Sequence, residues 1–400
     1  MRQRRLVAVY CAVHGVAEFW TALLLFSWQS VWSDFAYLVL VYNCLAFGAP
    51  ILVALGVSTW GRQRLNPRLC GLAGAMILSV GLLLAPSGAV CVVVMGVGSA
   101  LLHIGAGTAS LRCLRPGTAV GVFESSGAVG LAIGGLLGAG VWQFVGQVPW
   151  VLCGVVVMVI GGLVVWRWGN ASWPDRGAVG AAQPVDRLAA SVVAPPLPAA
   201  SQGSASFEDP LVSTGSVPLA PPPRAARAPM AGRRWAPIAL SVLAVVSIGR
   251  GIIGAELAEL ADLAGSTPLI VVVLAVALGL GRALGGTLTD HIGASQTAIA
   301  GFVAAGLMLS FAACGWWVLA VASCLVGVTM AAMIVWLLRV VERPSWAFGL
   351  AQLFQAPTAL VGALVLDQWA VVAGLVGCAL VMTGLAWLGR SSRKGEHASA

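Results

Sequence analysis

Arg115-Pro116-Gly117-Thr118-Ala119-Val120-Gly121 returns later in the chain as Arg343-Pro344-Ser345-Trp346-Ala347-Phe348-Gly349. The shared pattern is Arg-Pro-x-x-Ala-x-Gly. At the same offset Glu124 meets Gln352, Ala128 meets Ala356 and Gly134 meets Gly362. In both copies a basic turn opens a long apolar run with a polar residue inside it. A long unit repeated in an apolar chain points to internal duplication, and to a membrane protein built from two similar halves.

Composition sets the solvent. The chain has 400 residues, of which 59% are hydrophobic and 9% charged, and its mean hydropathy is +0.95. Soluble domains are roughly a quarter charged, so this reads as a polytopic membrane protein. Its 50 glycines suit helices that pack closely in lipid. The 9 cysteines are scattered and form no Cys-x-x-Cys pair, which indicates neither a disulfide framework nor a metal site. The histidines are also too dispersed to suggest a metal. The first apolar run lacks a clear cleavage site and reads as a span, not a signal peptide.

A span needs roughly 20 apolar residues. On that basis the first half places spans near 6–27, 35–57, 68–86, 89–110, 118–141 and 149–167. The second half places them near 236–258, 268–288, 295–314, 316–338, 346–366 and 369–389. The expected fold is an all-α membrane protein with two pseudo-symmetric six-helix bundles, residues 1–168 and 235–390, and a tail at 391–400. Residues 169–234 hold Pro195, Pro196, Pro198 and Pro221-Pro222-Pro223 among Ala, Ser and Gly. Such a segment reads as a disordered linker, either a tether between bundles or a docking segment.

The basic residues set orientation. Arg2, Arg4, Arg5, Arg62, Arg64, Arg68, Arg112, Arg115, Arg339, Arg343, Arg390, Arg393 and Lys394 fall on one side if the spans alternate, as do those of the linker. The other side carries Asp34, Glu259, Asp262 and Asp367. Both termini and the linker are therefore expected in the cytoplasm. This asymmetry accounts for the net charge of +8 without nucleic acid.

This layout resembles the major facilitator superfamily. Gly286-Thr287-Leu288-Thr289-Asp290-His291-Ile292-Gly293 is similar to that family's Gly-x-x-x-Asp-Arg-x-Gly loop, with His291 in place of Arg. The resemblance implies a place for Asp290 in a cytoplasmic gate. The matching first-half loop has Trp60 where the Asp would stand. His14-Gly15, Tyr42-Asn43-x-Leu45-Ala46-Phe47 and Gly98-Ser99-Ala100-Leu101-Leu102-His103 further resemble the fosmidomycin-resistance-like exporters. That resemblance implies proton-coupled export.

Ionisable residues inside spans face the bundle interior or a wet cavity. His14 and Glu18 lie four apart on one helix face. His103 and Glu124 lie at similar depth on consecutive helices and are expected to pair. Arg250 sits deep in the seventh span and is expected to face Glu18. His14, Glu18, His103, Glu124, Arg250, Gln352 and Gln355 are the candidates for solute binding or proton coupling. A buried carboxylate tends to gain a proton and a nearby arginine opposes this, which is the alternation that coupling needs. Structural readings stand beside these: a Glu18–Arg250 register pair, neutral histidines bonded to backbone carbonyls, and glutamines bonding neighbouring helices. Arg282, near Asp290, reads as a gate or anchor residue that snorkels to the interface. Trp20, Trp28 and Trp32 read as an aromatic belt.

The expected function is secondary transport of a small solute by alternating access, as proton-coupled export across a multi-pass cell membrane, such as a bacterial inner membrane. Proton-coupled uptake and a non-transporting sensor or scaffold are the alternatives. The expected partners are the solute, protons and the bilayer. No cofactor, catalytic residue, nucleotide motif or metal is expected, the chain is not read as an enzyme, and a monomer is assumed.

Overall fold

The computed structural model describes residues 2–28, 35–59, 66–141, 147–168, 268–311, 315–355 and 372–384, with a few single positions besides. Among them there is no strand. The first half supplies α1 (Arg2–Ser27), α2 (Phe35–Asn43), α3 (Ala49–Thr59), α4 (Pro67–Leu83), α5 (Ala89–Leu111), α6 (Pro116–Val141) and α7 (Gln147–Trp168). The second supplies α8 (Pro268–Ile292), α9 (Ala294–Leu309), α10 (Trp316–Val341), α11 (Pro344–Leu353) and α12 (Val372–Gly384). Five π-helical residues, Cys44–Gly48, join α2 to α3. The linker, Arg250, Trp32 and most of the expected spans at 236–258 and beyond Gln355 lie outside the described residues.

Six stretches are long and apolar enough to cross a bilayer, and four shorter apolar helices accompany them. Their outer faces are apolar. Leu280, Leu284 and Leu288 of α8 are exposed at four-residue spacing, and Leu152, Val156, Ile160 and Leu163 are exposed along one face of α7 at spacings of four, four and three. The interior instead holds His14, Glu18, Ser99, His103 and Glu124. Apolar outside and polar inside is the arrangement of a multi-pass membrane protein, whose solvent is lipid. Arg68, Arg112, Arg115, Arg167, Arg339 and Arg343 mark one end of the bundle, called here the basic end. Among the described residues the opposite end carries no Lys or Arg.

The duplicated heptapeptide has a local explanation at each position. Pro116 and Pro344 open α6 and α11, where a proline loses no helical hydrogen bond. The backbone N–H groups of Ala119 and Ala347 close the first turn onto the Arg115 and Arg343 carbonyls, at 3.1 and 2.9 Å. Both alanines are buried. The last glycine of each copy admits a helix from the other half of the chain. A Cβ on Gly121 would strike the Arg282 carbonyl of α8, and one on Gly349 would lie 3.1 Å from the Ile51 Cα of α3. The halves thus meet twice near the basic end, α6 on α8 and α11 on α3, by the same small-residue device.

Two expectations are corrected. The eighth span was placed to end at 288, with Asp290 in a loop, but α8 continues through Ile292 and Asp290 lies in its last turn. Trp20 and Trp28 are not belt residues; both are buried. Trp20 fills the space left by Gly154 of α7.

Candidate functional site

One cavity of about 140 Å³ lies between the halves, lined by His14, Glu18, His103, Glu124, Arg282 and Gln355, with Phe47 and several small residues. Four helices, α1, α5, α6 and α8, and the turn after α11 build its polar wall. It has room for several waters but not for a drug-sized solute, which needs roughly 300 Å³ or more.

On the first-half side, α1 contributes His14 and Glu18 one turn apart, and α5 contributes Ser99 and His103 at the same spacing. The two rings meet edge to face, with Nε2 atoms 3.1 Å apart. Glu18 Oε1 lies 3.8 Å from the Nε2 of each ring. Ser99 Oγ donates to the same oxygen at 3.2 Å, and Tyr42 reaches Glu18 Oε2 at 3.5 Å. His14 Nδ1 is 2.9 Å from the Phe123 carbonyl, and His103 Nδ1 is 2.9 Å from the Ser99 carbonyl. Gly127 of α6 leaves the space that the His14 imidazole fills, and Phe123 stacks on that ring at 4.1 Å.

Across the cavity, Glu124 is gripped by the second half. Arg282 Nη1 lies 3.4 Å from Glu124 Oε2 and donates to its backbone carbonyl at 3.3 Å. Gln352 Nε2 donates to Glu124 Oε1 at 2.9 Å, and Gln355 Nε2 donates to Gln352 Oε1 at 3.3 Å. Glu124 and Gln352 are equivalent positions of the repeat. The repeat mates are thus bonded directly to each other.

About two turns nearer the basic end, Asp290 closes the same helix pair. Its carboxylate oxygens accept the backbone N–H groups of Gly117 at 2.9 Å and Thr118 at 2.7 Å. These are unsatisfied first-turn donors of α6, where the helix dipole also favours negative charge.

The expected His103–Glu124 pair does not form. Their depths agree, but helix rotation turns His103 toward α1 and Glu124 toward α8. Arg282 does not snorkel outward; its charge is held inside against Glu124, and its Nε has no hydrogen-bond partner among the described residues. Two of the four histidines are not dispersed in space: His14, Glu18 and His103 present ligand atoms within 4.8 Å of one another. The expected Glu18–Arg250 contact involves a residue outside those described. Tyr42, Phe47 and Ser99 were noticed only within family-like motifs, and Phe123 was missed. The repeated four-residue spacing, His14 to Glu18 and Ser99 to His103, was the available signal for Ser99.

Apolar helices around a polar cavity, with equivalent segments from each half meeting at one end, define a multi-pass membrane fold. The comparisons place it. A search of solved structures returns a major facilitator superfamily transporter, FucP, in the outward conformation, with a TM-score of 0.56 and 14% sequence identity, covering 96% of this chain and 98% of that one. The chain has the major facilitator superfamily fold. No family model and no curated protein sequence matches it.

Proposed function

We propose that the protein is a proton-coupled secondary transporter that moves a small solute by alternating access, with Glu124 as the coupling acid. The observation that carries this reading is the clamp on Glu124: a first-half carboxylate held by Arg282 and Gln352 of the second half. As a carboxylate, Glu124 binds the halves together near the basic end. A proton on it removes the attraction to Arg282 and leaves the glycine contacts and the Asp290 cap to hold the end shut. Protonation therefore favours opening there, and deprotonation favours the state described.

The positive-inside rule puts the basic end in the cytoplasm. The structure is then closed toward the cytoplasm, in keeping with the outward conformation of the solved neighbour. Export in exchange for protons is the direction that the exporter-like motifs around His14, Tyr42 and His103 favour.

The test uses proteoliposomes loaded with a pH-sensitive dye and challenged with a panel of small solutes. A solute should move protons through the wild-type protein. E124Q should retain solute exchange at about the wild-type level but lose proton movement by roughly tenfold or more. Equal proton movement in E124Q, or solute flux in the wild type that ignores an imposed pH gradient, removes Glu124 as coupling acid.

A further inference from the structure

We propose that His14, Glu18 and His103 form a binding site for a divalent transition cation of the zinc class. The argument starts from the outer nitrogens of the two rings. Backbone carbonyls only accept, so His14 Nδ1 donates to Phe123; His103 Nδ1 donates to the Ser99 carbonyl, and the Ser99 hydroxyl, 3.0 Å from the same nitrogen, gives its proton to Glu18. Each neutral ring then carries its lone pair on Nε2. Those two lone pairs point at each other across 3.1 Å, and the Glu18 carboxylate oxygen adds a third acceptor 3.8 Å from both. Three acceptors converging on one buried point repel unless a proton or a metal cation lies between them.

The donor set fits such an ion. Two imidazole nitrogens and one carboxylate oxygen are the three-ligand set of open zinc sites, in which neighbouring ligand atoms stand about 3.3 Å apart around the metal. The observed separations are 3.1, 3.8 and 3.8 Å. Each ring is also oriented by a bond from its other nitrogen to a carbonyl, the outer-shell support that fixes metal-ligating histidines. Ser99 and Tyr42 steady the carboxylate in the same way. The triad opens on the cavity, so the fourth ligand position is left to water or to a donor atom of the solute. Both ligand helices belong to the first half, so the ion pins α1 to α5 and leaves the clamp between halves untouched. The site stands independently of the coupling role of Glu124.

The experiment is cobalt and zinc binding to the purified full-length chain in detergent. Wild-type protein should take up one ion per chain, and Co²⁺ should give the visible absorption of a tetrahedral nitrogen and oxygen site without a thiolate charge-transfer band. H14Q and H103Q should each weaken binding by about 100-fold and E18Q by at least tenfold. H291Q/H397Q, which removes the other two histidines, should change nothing. If H14Q or H103Q fails to fold, the wild-type cobalt spectrum and E18Q decide. Absence of uptake, a thiolate band, or affinity unchanged in the folded triad variants overturns the proposal; a shared proton then holds the two rings together.

Discussion

Arg282 shows what a buried charge does when its partner comes from the other half of the chain. Its side chain is 16% exposed and that of Glu124 is 5% exposed. Removing one member of such a pair strands the other, which costs about 3–5 kcal/mol when burial is complete and less beside a wet cavity. R282M should therefore lower the unfolding temperature of the purified protein clearly. E124Q/R282M should recover part of the loss, because no lone charge remains. A double variant as unstable as the sum of the two singles would show that the groups do not interact. The residue types of the site were legible in the sequence, since ionisable groups in an apolar run need a reason. Their partners were not. Glu124 was matched to His103 on depth alone, and depth says nothing about rotation around the helix axis. A turn of the helix by one residue swings a side chain about 100°, which decides whether His103 meets Glu124 or His14.

At the scale of elements, glycines do two different jobs that sequence alone does not separate. Gly74 joins α4 to α5 within one half: a Cβ there would stand 2.5 Å from the Leu102 nitrogen and 2.8 Å from the Gly98 carbonyl oxygen. Both are backbone atoms that cannot step aside. Gly121 joins α6 to α8 across the halves, and its clash with the Arg282 carbonyl is relieved if the halves part. G74A should cost about 1–3 kcal/mol of fold stability and lower the unfolding temperature. G121A should leave that temperature nearly unchanged and instead open the basic end. Spin labels at R115C and R343C report the difference as a distance distribution, which should lengthen in G121A and keep its wild-type form in G74A. The reverse pattern would mean that the α6–α8 contact is permanent packing. Helix positions were largely readable from hydropathy, because the length of an apolar run is a one-dimensional quantity. The end of α8 was missed because a Gly-rich, polar stretch looks like a loop. In place it is the last turn of a helix, and its Asp290 caps a neighbour.

The sequence repeat makes Glu124 and Gln352 equivalent positions, and the two side chains meet at what is called here the repeat axis. The duplicated heptapeptide disclosed this equivalence, but it did not disclose that the repeat mates touch. At this pair the first copy carries an acid and the second a neutral glutamine. The slot and the acid are therefore separable. E124Q loses the acid; E124Q/Q352E returns a carboxylate to the axis from the other half, within the same 2.9 Å contact. Because the bond joins equivalent positions, exchanging its ends reverses donor and acceptor without moving either helix. The double variant should regain a substantial part of the pH-driven flux that E124Q lacks, measured in the same proteoliposomes, and should unfold at nearly the wild-type temperature. Q352E alone sets two carboxylates against one arginine. It should repel across the axis, loosen the basic end and lengthen the R115C–R343C distance. If E124Q/Q352E folds normally but stays as uncoupled as E124Q, the proton is read by the surroundings of α6 and not by the axis, and the symmetric account of coupling fails.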